Sequence, residues 1–178
     1  MKFYAGIGSR QTPQEVRAKI HEFAKALNDK GYTLRSGGAD GADSFFEEAA
    51  DRMEIFLPWR GFNKRPRADL SPEKRYIQSP SQEAIELAQE TINGYDARPH
   101  GARMLLARNM HQILGENLDS PVDMVICWTY AGNTQGGTAH GMRLARSRII
   151  PVYNLGREQD EDILREILGL HPQKDLFR

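Results

Sequence analysis

The 178-residue sequence is poor in cysteine, has no net charge and lacks any long apolar run. Its one cysteine, Cys127, rules out an intrachain disulfide, and a reducing, cytoplasmic setting is expected. That cysteine lies within the apolar run DMVICW, which favours a buried structural thiol over a nucleophile. Lys and Arg total 24, as do Asp and Glu, so global charge does not single out a nucleic-acid partner. No segment approaches the ~18 consecutive apolar residues of a spanning helix. The opening MKFYAGIGSR meets charge too early for a signal peptide, so no membrane association is expected. The histidines show no metal-ligand spacing with cysteine or carboxylate clusters, so no metal is expected, and no cofactor is assigned. No internal repeat is visible.

What is present suits one globular domain over 1–178, with 39% apolar and 27% charged residues. Short apolar runs alternate with amphipathic ones. FYAGI (3–7), YTLRS (32–36), MEIFLPW (53–59), DMVICW (123–128) and IIPVYNL (149–155) read as strands. Between the first two, Val16, Ile20, Phe23 and Leu27 form one helical stripe, with Thr12 as expected N-cap, Pro13 first in the helix and Gly31 ending it. Further helices are expected in ADSFFEEAADRM, SPSQEAIELAQETI, 101–114, AHGMRLARS and near 159–169. Continuous apolar strands separated by helices predict an α/β fold: a Rossmann-like parallel sheet with helices on both faces.

The glycines collect at three strand ends, in GIGSR, SGGADGAD and GNTQGGTAHG. In an open parallel sheet these loops share the carboxyl edge, where ligand crevices form. A side-chain-poor loop is either a tight turn or a place where something approaches the backbone. Helix-entry amides lack intrahelical partners, and without Cβ atoms an anion could reach them. Ser36, Thr134 and Thr138 could add hydroxyl donors, and Arg10 a cation. Neither a standard dinucleotide spacing nor a Walker sequence is present, so a phosphate-binding loop of another kind is expected. Asp40 would repel an anion but could bind ribose hydroxyls or a base edge, and Asp43 could do the same or cap its helix.

GSRQT, SGGADGAD, the pair Arg108-Asn109, and GGTAHGMRLARSRIIPVYNLG stand in the order found in DprA/Smf-like DNA-processing proteins, which they resemble over roughly 3–57 and 101–156. Those proteins belong to the SLOG superfamily of Rossmann-like nucleotide-binding domains, which includes the LOG phosphoribohydrolases. The resemblance implies a ligand crevice lined by Gly8, Ser9, Arg10, Ser36, Gly37, Gly38, Gly41, Asp43, Arg108, Asn109, Gly136, Gly137 and Thr138. It implies a nucleotide-type small molecule or single-stranded nucleic acid as partner, and a homo-oligomer is plausible. Arg108 is expected to clamp a phosphate or to form a surface salt bridge.

Departures from the resemblance bear on activity. DprA-like proteins usually carry a basic residue where this chain has Asp40, and a histidine near Glu47. The LOG pattern GGxGTxxE, aligned on Gly137-Thr138, places Gly141 where its glutamate would act. Asp43, Glu47 and His140 remain candidate acid–base residues for an N-glycosidic hydrolase. Finally, an insertion at about 59–98 begins with WRGFNKRPRADLSPEKRY, where Arg60, Lys64, Arg65, Arg67, Lys74 and Arg75 interleave with Trp59, Phe62 and Tyr76. It could track nucleic acid, or fold over a nucleotide as a lid with an aromatic on the base, or simply be a solvated loop.

Overall fold

A computed structural model describes residues 1–170; residues 171–178 of the expected domain, His171 among them, lie outside the described residues. The strands are β1 (Lys2–Gly8), β2 (Tyr32–Ser36), β3 (Met53–Leu57), β4 (Lys74–Gln78), β5 (Met124–Trp128) and β6 (Val152–Asn154). The helices are α1 (Gln14–Asp29), α2 (Ala42–Ala49), α3 (Gln82–Thr91), α4 (His100–Leu114), α5 (Gly137–Ser147) and α6 (Glu158–Leu168). All six strands pair in parallel, in the order β4-β3-β2-β1-β5-β6. This is a Rossmann-like α/β domain.

Alternation along the strands builds two cores. Phe3, Ala5 and Ile7 of β1 face one side, with Met110 and Ile113 of α4 and Met142 of α5. Tyr4 faces the other, with Ile20, Phe23 and Leu27 of α1, Phe46 of α2 and Leu164 of α6. Burying each of the large apolar side chains contributes about 1.5–3 kcal/mol, and together they outweigh the low helix propensity of the β-branched and aromatic residues involved. Cys127 is buried and desolvation pushes its thiol up to about 12, as suits a packing residue.

Three local expectations are corrected. Thr12 does not cap α1: its hydroxyl donates to the Ser9 carbonyl at 2.6 Å, and Pro13 occupies the cap position. Asp43 does not cap α2 either; Gly41 holds that position, with Asp43 in the first turn. The stretch after β3, which could have been a solvated loop, contains a strand, because β4 joins the sheet within it; the expected capped helix follows as α3, with Ser81 at its cap. Two of the basic side chains in that stretch are spent internally. Arg75 pairs with Glu54 and Glu116 at 3.1 and 2.9 Å, and Arg65 with Glu47 at 2.9 Å. No helix among the described residues is long and apolar enough to cross a membrane.

The Tyr4 hydroxyl is fully buried with no hydrogen-bond partner among the described residues, and its pKa is raised mainly by desolvation. A lone buried hydroxyl costs about 1–3 kcal/mol. Tyr4→Phe is therefore expected to hold or raise the urea midpoint, by up to about 1 kcal/mol in stability; a loss of that size would show that the hydroxyl has a partner.

Candidate functional site

β1 is flanked by β2 and β5, and the chain leaves β1 and β5 toward opposite faces of the sheet. A crevice opens at such a switch point. Here it is a cavity of about 810 Å³. Gly8, Ser9, Arg10 and Gln11 line it from the β1 loop, and Ala39, Asp40 and Asp43 from the β2 loop. The β5 side supplies Thr129, Tyr130, Asn133, Gln135, Gly136, Gly137 and Thr138. The α4 face adds Leu105, Leu106, Arg108, Asn109 and Gln112, and Ile7 and Phe62 complete the wall.

The first two glycine loops are empty chiefly because the protein's own groups fill them. A Cβ at Gly8 would stand 2.6 Å from Ala42 and from the Trp128 carbonyl; one at Gly41 would collide with the Ser9 carbonyl. That carbonyl accepts from the amides of Thr12 and Ala42, both at 3.2 Å, so the start of α2 is tied to the β1 loop. A Cβ at Gly37 would overlap Arg108 Nη1 and Gln112 Nε2. Ser36 is wholly buried, donating to the Gly6 carbonyl at 2.6 Å. Ser36, Gly37, Gly38 and Gly41 thus sit behind the cavity wall, outside its lining.

Arg108 is not a surface ion pair: it lines the cavity and acts as an internal cross-brace. It is 5% exposed. Nη1 donates to the carbonyls of Gly37 and Phe56, and Nε donates to Asn109 Oδ1 at 3.1 Å. Asn109 Nδ2 in turn donates to the Gly137 carbonyl at 3.2 Å, at the start of α5. One chain of polar contacts therefore joins the ends of β2 and β3 to α5. Burial lowers the Arg108 pKa, and the nearby Asp43 charge opposes that.

Asp43 is 3% exposed, and its Oδ2 accepts from the amides of Gly37 at 3.1 Å and Ala39 at 3.4 Å. The carboxylate thus occupies the very amides expected to meet an external anion. Its Oδ1 has no hydrogen-bond partner among the described residues. Desolvation raises its pKa, against the pull of Arg108 and the two amides and with a contribution from Glu47. Asp40, exposed at the rim, accepts from Asn63 Nδ2 at 3.0 Å.

The third loop differs. Gly136 and Gly137 both line the cavity, and a Cβ at either would meet nothing within 4 Å. Gly136 takes φ +79° as it enters α5, and no side chain caps that helix. The first-turn amides have no partner within the helix, and Gly136, Gly137 and Thr138 at its start line the cavity. The loop itself is braced from behind: Asn154 Nδ2 donates to Thr129 Oγ1 at 2.7 Å and Arg157 Nε to the Gly132 carbonyl at 3.2 Å. Thr134 is exposed and outside the lining.

Of the acid–base candidates, only Asp43 lines the cavity. Glu47 accepts from Arg65 Nε at 2.9 Å and from the Tyr76 hydroxyl at 2.8 Å, tying α2 to β4 and the segment before it. His140 lies one turn into α5, outside the lining, with Nδ1 2.8 Å from Arg143 Nη2. Burial, Arg143 and Arg98 all lower its pKa. Sequence reasoning missed Leu105, Leu106 and Gln112. Their spacing with Arg108 and Asn109, three to four and then seven positions on, was the available signal that one α4 face meets the cavity. Thr129, Tyr130 and Asn133 were missed as well, and no sequence pattern marks them.

The sheet order and the switch-point crevice define a Rossmann-like fold that solved structures share. DNA processing protein A from Helicobacter pylori shares it, with a TM-score of 0.57 at 17% identity over 96% of this chain and 74% of that one. The molybdenum cofactor carrier protein of Chlamydomonas reinhardtii does too, with a TM-score of 0.51 at 16% identity over 96% and 88%. No family profile and no curated protein matches the sequence.

The Asp43 environment gives a titration test. Its folded pKa lies above the ordinary value of 3.8, so the folded state holds the proton more tightly than the unfolded chain. That contribution to stability declines as pH rises from 3.8 through the raised folded value. Asp43→Asn, which keeps an oxygen for the two amides, is expected to lack the decline. The stability difference between the two proteins should change by about 1.4 kcal/mol for each pH unit that separates the folded from the unfolded pKa. Urea unfolding from pH 4 to 7 measures it, and parallel profiles would refute the raised carboxyl.

Proposed function

We propose that this protein binds a small phosphorylated nucleotide derivative in the switch-point cleft, with the phosphate on the first turn of α5. The observation that carries this reading is the open approach at Gly136 and Gly137, where uncapped amides and the Thr138 hydroxyl border the cavity. A helix N-terminus of this kind favours anions through its free N–H groups and its dipole. Arg10, exposed in the β1 loop, lines the same cavity and supplies a cation. The cavity volume is in the range that encloses a small organic ligand.

The fold accommodates more than one kind of ligand. One solved neighbour is described by its single-stranded DNA binding and another as a carrier of the molybdenum cofactor. A DNA-binding reading has less support here, because Arg65 and Arg75 of the basic stretch are committed to carboxylates. A hydrolytic reading would rest on Asp43 alone, since Glu47 and His140 stand outside the cavity. Binding, for sensing, sequestration or delivery, is the function the cleft supports best.

Mass spectrometry of small molecules that co-purify with the protein, joined to thermal unfolding with a nucleotide panel, tests the proposal. At least one phosphorylated nucleoside should raise the melting temperature in step with its concentration. Thr138→Asp, which sets a carboxylate where the phosphate would sit, should weaken that ligand about tenfold or more. No co-purifying nucleotide and no shift across the panel would contradict it.

A further inference from the structure

We propose that Phe62 is the platform for the planar ring of the ligand, so that the cleft is polarised: ring at the β3 end, phosphate at the α5 end. This rests on the nucleotide reading above and goes beyond it in assigning the ring its place and the ligand its orientation.

Phe62 reaches the cavity from the segment after β3, and its position is enforced from several sides. Gly61 takes φ +76°, and Asn63 and Lys64 also have positive φ, at 49° and 58°. Such conformations are uncommon for residues with side chains and persist where surrounding contacts impose them. Here Asn63 Nδ2 donates to the Gly38 carbonyl at 2.9 Å as well as to Asp40, which pins the turn onto the β2 loop. The Trp59 and Phe62 rings pack perpendicular to each other with centroids 5.2 Å apart. The Arg108 guanidinium carbon lies over the Phe62 ring, 5.8 Å from its centroid, linking the ring to the cross-brace. An aromatic ring held this firmly at a cavity wall offers apolar contact to a planar ring at little cost in ordering.

The spacing suits one extended nucleotide. β3 and β5 are separated by β2 and β1, so their ends stand three strand intervals apart, about 14 Å. Between them lie Asp40 and Oδ1 of Asp43, both able to accept hydrogen bonds, and Arg10 of the β1 loop. That middle ground fits sugar hydroxyls. The ligand class is therefore a nucleoside phosphorylated at one end.

Calorimetric titration with the four ribonucleoside 5′-monophosphates and with ribose 5-phosphate tests this. At least one monophosphate should bind the unmodified protein about tenfold or more tighter than ribose 5-phosphate. Phe62→Ala should erase that advantage while ribose 5-phosphate binding persists, which also shows the variant is folded; Phe62→Trp should keep it. A monophosphate bound equally by Phe62→Ala and the unmodified protein would overturn the assignment. So would ribose 5-phosphate matching every monophosphate in the unmodified protein, although phosphate binding would then stand. If no probe binds at all, the nucleotide reading falls and this assignment with it.

Discussion

A buried guanidinium at the cavity wall organises the elements around the cleft. Desolvating Arg108 is costly, and the structure offsets the cost with carbonyl acceptors at Gly37 and Phe56, the amide oxygen of Asn109, and the nearby charge of Asp43. Each acceptor belongs to a different part of the fold: the end of β2, the end of β3 and the α4 helix itself. Through Asn109 the same network reaches the first residue of α5. Removing the cation would take a donor from the buried Gly37 and Phe56 carbonyls and a nearby opposite charge from the buried Asp43 carboxylate, so this arrangement is held as a unit.

The three glycine-rich corners then divide by use. Those after β1 and β2 are packed against the protein's own backbone, Arg108 and the Asp43 carboxylate, and form a stiff wall. The corner entering α5 has open space at Gly136 and Gly137. A cleft with one stiff wall and one receptive helix end can orient a ligand without a large rearrangement, which is the circumstance in which fixed amide dipoles contribute most to binding. The segment after β3 adds an aromatic surface through Phe62, and pairs Arg65 and Arg75 with Glu47, Glu54 and Glu116.

The α/β alternation was legible because buried parallel strands read as apolar runs and the helices carry stripes such as Ile20, Phe23 and Leu27. β4 was not, since Lys74, Arg75 and Gln78 give an edge strand the polar character of a loop. The meeting of the glycine loops at one edge followed from topology alone. What occupies each loop did not, because glycine leaves the same trace whether a ligand or a side chain approaches. Seeing that Arg108 fills the space at Gly37 requires a contact across 71 positions, which no local pattern encodes. For the same reason Glu47 looked available until Arg65 and Tyr76 were found on its two oxygens.

Whether the second glycine loop exists to admit Arg108 can be measured by a double-mutant cycle in urea with Gly37→Ala, Arg108→Met and the pair. Gly37 has an ordinary backbone conformation, so an added methyl group acts through crowding against Arg108 Nη1. The account expects Gly37→Ala to be clearly less destabilising once Arg108 is replaced, with a coupling of about 1 kcal/mol or more. Costs that simply add, within about 0.5 kcal/mol, would contradict it.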